Sequence, residues 1–284
     1  MDRDQEREAE DLLRLLPPIR RSRLWRLYAE ERSGGRPRRF LDLWMDGGRS
    51  LLGAKGTGLG TLAKAAIDMG LTRPAPSVWE RRLEKALLEA YPGYEAVRFY
   101  RSEEGALAAL AAFLDLDRRA LRVLDPAALG GPASGGFDAS ILRPFAEFLP
   151  GSGAAAGAAF ALPLLGCPAA FAPGILLARQ AGRAPRGELV APLQLACASR
   201  AMSELKRLLP AYGEELWKRS DRRLGPYFER RGPYLYPRHP ASGHGDFFRR
   251  ALASGLLVSP LHGHPSILPP DFDDGELAAL AKHS

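Results

Sequence analysis

Between residues 97 and 209, short apolar runs alternate with stretches of helical periodicity, and this alternation constrains the fold more than any other feature. Val97-Arg98-Phe99-Tyr100 is an apolar run of strand length. Ser102 is a good N-cap for a helix over residues 103–114. Residues 121–125 read as a second strand and 139–149 as a second helix. Two more apolar strands follow at 158–165 and 172–177, then a long helix from about 189 to 209. Strands separated by helices build βα units, and these units stack into a layered domain with a mainly parallel sheet.

The flanking regions carry their own signals. Residues 1–16 read as a charged helix with Leu12, Leu13, Leu15 and Leu16 on its apolar side, stopped by Pro17-Pro18. Residues 19–32 read as a second, Arg-rich helix with Leu24, Trp25, Leu27 and Tyr28 apolar, ended by a turn at Ser33-Gly34-Gly35. Residues 40–44 read as a strand, followed by Asp46-Gly47-Gly48, and residues 57–69 as a helix. Ser77 and Glu80 fit a capping box ahead of a helix marked by Leu83, Ala86, Leu87 and Ala90. After Lys218 the chain turns basic and aromatic. It ends with a helix at 246–254, strands at 256–259 and 266–268, and a helix at 274–282.

Composition narrows the class. With 284 residues, 46% hydrophobic and 26% charged, the chain suits a globular protein with a large core and excludes general disorder. Two cysteines, Cys167 and Cys197, cannot make a disulfide scaffold and read as buried small hydrophobes. The N-terminus lacks an apolar leader run, and the most apolar stretch, 153–177, is broken by Pro163, Pro168 and Pro173. A membrane span is therefore not expected, and a cytoplasmic location is. The expected organisation is an N-terminal helical segment (1–35), the opening segment of a small domain (36–76), a central α/β domain (77–209) and a C-terminal α+β part of the small domain (210–284).

Residues 40–53, with Phe40-Leu41-Asp42-Leu43-Trp44, Gly47-Gly48 and Leu51-Leu52-Gly53, resemble the opening segment of class III aminotransferases, including glutamate-semialdehyde aminomutases. The resemblance continues through Ala65-Ala66-Ile67, Gly70-Leu71, the helix from Pro76 to Ala90, and Tyr91-Pro92 with Glu95-Ala96-Val97-Arg98-Phe99. It returns loosely at Ala191-Pro192-Leu193, at Ala196-Cys197-Ala198 and in Phe247-Phe248 to Pro260. It covers about residues 36–115 well and 186–284 loosely, with a shorter middle. The resemblance implies a type I pyridoxal-phosphate transferase fold with a trimmed central sheet, helices on both faces, and a smaller α+β domain made from both ends of the chain. It also implies a homodimer.

Three requirements of pyridoxal-phosphate chemistry are then open to inspection. The cofactor aldehyde needs a lysine amine, which the family order places before Pro192. Of the 40 Lys+Arg residues only six are lysines, and none lies between Lys85 and Lys206. Arginine stays protonated and is no substitute. Lys206 falls beyond the expected position. The phosphate needs free N–H groups at a helix start. The corresponding residues are Arg101, Ser102, Glu103, Glu104 and Gly105, with two carboxylates where the family has glycine and threonine. The pyridinium needs an acidic partner, and Asp125 comes too early in the chain to be it. The expectation is a degenerate relative with no catalytic residue and no cofactor, acting by binding as a scaffold, regulator or partner protein. Pyridoxal phosphate belongs to the chain only if that reading fails, in which case an atypical active aminotransferase or aminomutase is the alternative.

Two other groupings concentrate ionisable side chains. His239, His244, His262 and His264, with Asp246 nearby, contain a His-x-His pair, but they lie in Gly- and Pro-rich loops without a cysteine. They read as exposed turn histidines rather than a zinc site, so no metal is expected. The stretch from Lys218 to Arg250 holds nine cations against three acids, interleaved with Tyr227, Phe228, Tyr234 and Tyr236. Arg222, Arg223, Arg230 and Arg231 are candidate anion contacts there. No nucleic-acid motif accompanies them, so polyanion binding is the rival reading and a solvated basic face the preferred one.

Overall fold

The structure is a computed structural model that describes residues 3–30, 37–53, 58–130 and 136–283. Two compact units result: residues 1–54 with 210–284, and residues 55–209. The division falls inside the 36–76 segment and again at 209/210. The expected turn at Ser33-Gly34-Gly35 and the helix start at Thr57 lie outside the described residues.

The first unit begins with α1 (Arg3–Leu13), β1 (Ile19–Arg23), β2 (Arg26–Ala29) and β3 (Arg38–Asp42). The second unit follows. It has α2 (Leu59–Asp68), α3 (Val78–Ala90), β4 (Ala96–Tyr100) and α4 (Glu103–Phe113), then β5 (Val123–Leu124) and β6 (Ala139–Leu142). It is completed by α5 (Ser152–Gly157), β7 (Phe160–Pro163), β8 (Gly174–Ala178) and α6 (Pro192–Leu208). The chain returns to the first unit with α7 (Glu214–Lys218), α8 (Asp221–Leu224), β9 (Phe228–Arg231) and β10 (Tyr234–Pro237). It finishes with α9 (His244–Ala253), β11 (Leu256–Leu257), β12 (Ser266–Ile267) and α10 (Asp274–Ala278).

The second unit is built on a five-stranded sheet in the order β4-β8-β7-β6-β5. The β5/β6 and β6/β7 pairs are parallel, whereas β7/β8 and β8/β4 are antiparallel. The sheet is thus mixed, not mainly parallel. The link from Pro163 to Gly174 carries only a 3-10 turn and is too short for a helical crossover. Residues 139–149 also differ from expectation. Ala139–Leu142 is a strand with partners on both sides, and Pro144 prevents a helix from forming behind it.

Alternation along the strands fills both faces of this sheet. Tyr100, Leu162 and Leu176 pack with Leu107, Leu110 and Ala111 of α4. Val97, Phe99, Ala161, Ile175 and Leu177 point the other way, and all are buried. Both faces are therefore covered, as expected for an α/β layer. Helix α3 packs on α6, and α6 on α2. Helix α3 begins where expected, but Ser77 makes no side-chain cap bond, so the capping box is absent.

The first unit holds a four-stranded sheet, β1-β2-β3-β11, and a three-stranded sheet, β12-β10-β9. Residues 19–29 are a hairpin, not part of a helix, and residues 31 and 32 of the expected helix lie outside the described residues. β2 pairs antiparallel with β3, from Arg26 opposite Leu41 to Ala29 opposite Arg38. Leu24 turns the hairpin at φ 52, and Trp25 donates from Nε1 to the Leu51 carbonyl at 2.9 Å. The spacing of Leu24, Trp25, Leu27 and Tyr28 suits a helix, but strand pairing outweighs so weak a local preference.

Candidate functional site

The corner where β4 enters α4 is where the sequence resemblance places a phosphate. Ser102 is extended at the N-cap, and its Oγ accepts the Gly105 N–H at 3.1 Å. The Arg101 N–H is given to the Glu188 carboxylate at 3.3 Å. Gln194 donates to the carbonyls of Arg101 and Ala172, each at 3.0 Å. The Glu188 N–H donates to the Phe99 carbonyl at 2.8 Å. Gly174, at the start of β8, lies so close to the Ser102 carbonyl that a Cβ there would collide with it. Glu103 and Glu104 occupy the first helical turn, and Arg118 lies 3.3 Å from the Glu104 carboxylate. Helix dipole and carboxylates favour one another here, and the N-cap contributes about 1 kcal/mol. A phosphate dianion would meet two carboxylates and a Gly105 N–H already bonded to Ser102.

The described lysines of this unit lie on helices other than α4. Lys64, Lys85 and Lys206 are exposed on α2, α3 and α6, and Lys85 and Lys206 stand 3.9 and 3.7 Å from the Glu89 carboxylate. Lys55 lies outside the described residues. Asp125, just after β5, is committed to Arg143. The guanidinium Nε and one terminal nitrogen donate to the two carboxylate oxygens at 2.6 Å each, and both side chains are about nine-tenths buried. Such a fork-to-fork pair holds both oxygens, and sequence reasoning gave no sign of it because the partners sit on different strands.

Solved structures with the same architecture are aminotransferases. An omega-transaminase from Sphaerobacter thermophilus superposes with a TM-score of 0.62 at 13% identity, covering 98% of this chain and 95% of that one. Ornithine delta-aminotransferase from Plasmodium falciparum gives 0.63 at 12%, covering 98% and 97%. N-acetylornithine aminotransferase from Stenotrophomonas maltophilia gives 0.59 at 17%, covering 96% of each. The fold is that of the pyridoxal-phosphate-dependent aminotransferases. The likeness extends well beyond residues 36–115, where the sequence resemblance is clearest. In sequence, a Treponema pallidum protein described only as uncharacterized is 28% identical over 306 residues, covering 91% of both chains. A Borreliella burgdorferi protein, also uncharacterized, is 32% identical over 91 residues, or 32% of each chain. No protein-family profile matches.

Outside the β4–α4 corner, the first unit gathers histidines that the sequence scatters. His239 and His244 lie 3.1 Å apart, Nε2 to Nδ1. His244 Nε2 reaches the Ser259 carbonyl at 3.0 Å, and His262 Nε2 the His239 carbonyl at 2.9 Å. His244 is buried, and His239 and His262 are half-buried. The expectation of exposed turn histidines is thus corrected, because β10, α9 and the loop before β12 converge. Among the described residues no group of three or more ligand side chains is arranged to hold a metal ion.

The basic stretch resolves differently. Arg230 is shared by Asp221 and Glu214, each at 2.6 Å. Arg223 pairs with Asp274 at 2.6 Å and Arg231 with Glu229 at 2.8 Å. Two of these acids, Glu214 and Asp274, lie outside the window from which the charge imbalance was read. Arg222 is exposed. Phe228, Tyr234 and Tyr236 are buried and offer no stacking face. Among the described residues no helix is long and apolar enough to cross a membrane.

Proposed function

We propose that this chain uses an aminotransferase fold without aminotransferase chemistry and acts by binding, as a scaffold or regulator. The observation that carries this reading is the absence of any lysine from Lys85 to Lys206. The β4–α4 corner supports it, since Ser102, Glu103, Glu104 and Gly174 leave that helix end bonded and acidic. These residues do not fit pyridoxal phosphate. Polyanion binding through Arg222, Arg223, Arg230 and Arg231 is not favoured, because carboxylates already neutralise three of them.

By the same resemblance the chain forms a homodimer. Ile67, Met69 and Val78 expose apolar side chains suited to self-association.

Titration with pyridoxal phosphate tests the central claim. The expected result is no saturable absorbance band and, after borohydride, only scattered substoichiometric adducts on exposed amines. A saturable band trapped stoichiometrically on one lysine would overturn the reading and restore an active transferase.

A further inference from the structure

We propose that His239, His244 and His262 form a clasp, closed while its rings are neutral and opened by proton uptake, which releases residues 238–245 and 259–265 beside the cleft between α1 and α9. The hydrogen bonds run in one direction. His262 Nε2–H donates to the His239 carbonyl, His239 Nε2–H to His244 Nδ1, and His244 Nε2–H to the Ser259 carbonyl. This assignment is the one that lets each ring donate once from Nε2. The rings are mutually packed, with centroids 5.3 Å apart for His239 and His244, 5.6 Å for His239 and His262, and 5.5 Å for His244 and His262. His239 also lies 4.4 Å from the Phe247 ring.

The closed clasp holds at most one proton on the His239–His244 pair. With one ring charged the N–H···N bond survives, but with both charged two N–H groups would face each other across 3.1 Å and the bond is lost. His244 is also the first residue of α9, where the helix dipole opposes a positive charge. Charged groups face the clasp from each packed element. Glu8 of α1 acts on His244 and favours its charged form, while Arg250 of α9 acts on His239 and opposes it. Arg7 and Asp11 of α1 and the ion-paired Asp246 and Arg249 of α9 line the adjoining cleft. The Arg238 guanidinium is bound to the Gly225 and Phe228 carbonyls, and His264 follows His262 in the loop. Burial, then the neighbouring histidines, holds His239 down at about 4, and burial also lowers His244. Opened rings return to the ordinary value near 6.5. Closure therefore releases protons, and acid below about 6.5 favours the open form.

The cleft gives the opening a consequence. It has a volume of about 700 Å³, and Ser242 and Gly245, which line it, flank His244. Release of this segment reshapes the cleft wall.

Hydrogen exchange measured by mass spectrometry at about pH 7.5 and about pH 5, corrected for intrinsic rates, tests the clasp. The expected result is lost protection confined to 238–245 and 259–265, about tenfold per pH unit for each proton taken up. His239→Phe keeps a ring against Phe247 but cannot titrate or donate, and exchange in these segments should keep only the weaker dependence that His244 supplies. A wild-type NMR titration of the histidine Cε1–H signals serves if the variant fails to fold, with the His239 and His244 rings expected below 6.5. Unchanged protection in acid, His239 and His244 titrating near 6.5, or a full acid response in His239→Phe would overturn the proposal.

Discussion

Asp42, the last residue of β3, accepts the N–H groups of Trp44 at 3.0 Å and Met45 at 2.7 Å on Oδ1. These bonds hold a turn in which Met45, Asp46, Gly47 and Gly48 all have positive φ. Burial pushes the Asp42 carboxyl up to about 6 from its ordinary 3.8, against the two N–H donors, and Asp46 adds to the rise. A raised carboxyl contributes stability that is present below 3.8 and lost as pH rises through 6. An asparagine accepts the same two N–H groups without the charge. Because Asp42 is only partly buried, water screens part of the cost, and Asp42→Asn should gain about 1–2 kcal/mol above pH 6. Urea denaturation of both proteins across pH 4–8 checks this, since their difference removes the opposite trend from His239 and His244. A gain equal at every pH would refute the assignment. The cysteines read from sequence as buried hydrophobes are buried and free. Burial pushes Cys167 up to about 12 and Cys197 to about 11, which keeps both thiols protonated at neutral pH.

At the scale of elements, β8 packs closely against the β4–α4 corner. Strand β8 runs antiparallel beside β4 with Gly174 opposite Tyr100, and its backbone presses on the Ser102 carbonyl. No side chain fits there. Gly174→Ala should cost about 1–3 kcal/mol or more by overpacking, seen as a lower urea midpoint, whereas Gly182→Ala meets no atom and serves as the neutral control. Equal midpoints would show that the corner yields. Helix α4 was legible because its signal is local: Ser102 and Gly105 are three residues apart, and the cap needs nothing else. The β1–β2 hairpin and β6 were not. In the hairpin, pairing of β1 with β2 and of β2 with β3 overrides a helical spacing of apolar residues; β6 is paired by β5 and β7, and a short apolar run carries no mark of its partners.

For the whole molecule, the division into two units has the chain leave the first unit after residue 54 and return to it at 210. The proposed homodimer is a property at this scale. Ile67 is 52% and Met69 65% exposed, so charging them disturbs little core packing. Sedimentation equilibrium should find a dimer at micromolar concentration, and Ile67→Glu with Met69→Glu should raise the dissociation constant tenfold or more. A wild-type monomer at tens of micromolar would contradict it.

The sequence by itself determined the α/β class, most helix positions, and the absence of any lysine between Lys85 and Lys206. These are local patterns or plain counts, which need no partner from elsewhere in the chain. Tertiary structure alone decided the direction of each strand, the pairing of Asp125 with Arg143, the neutralisation of Arg223 and Arg230 by distant acids, and the meeting of His239, His244 and His262. Each joins groups far apart along the chain or on different elements, and only burial in a common core brings them within reach of one another.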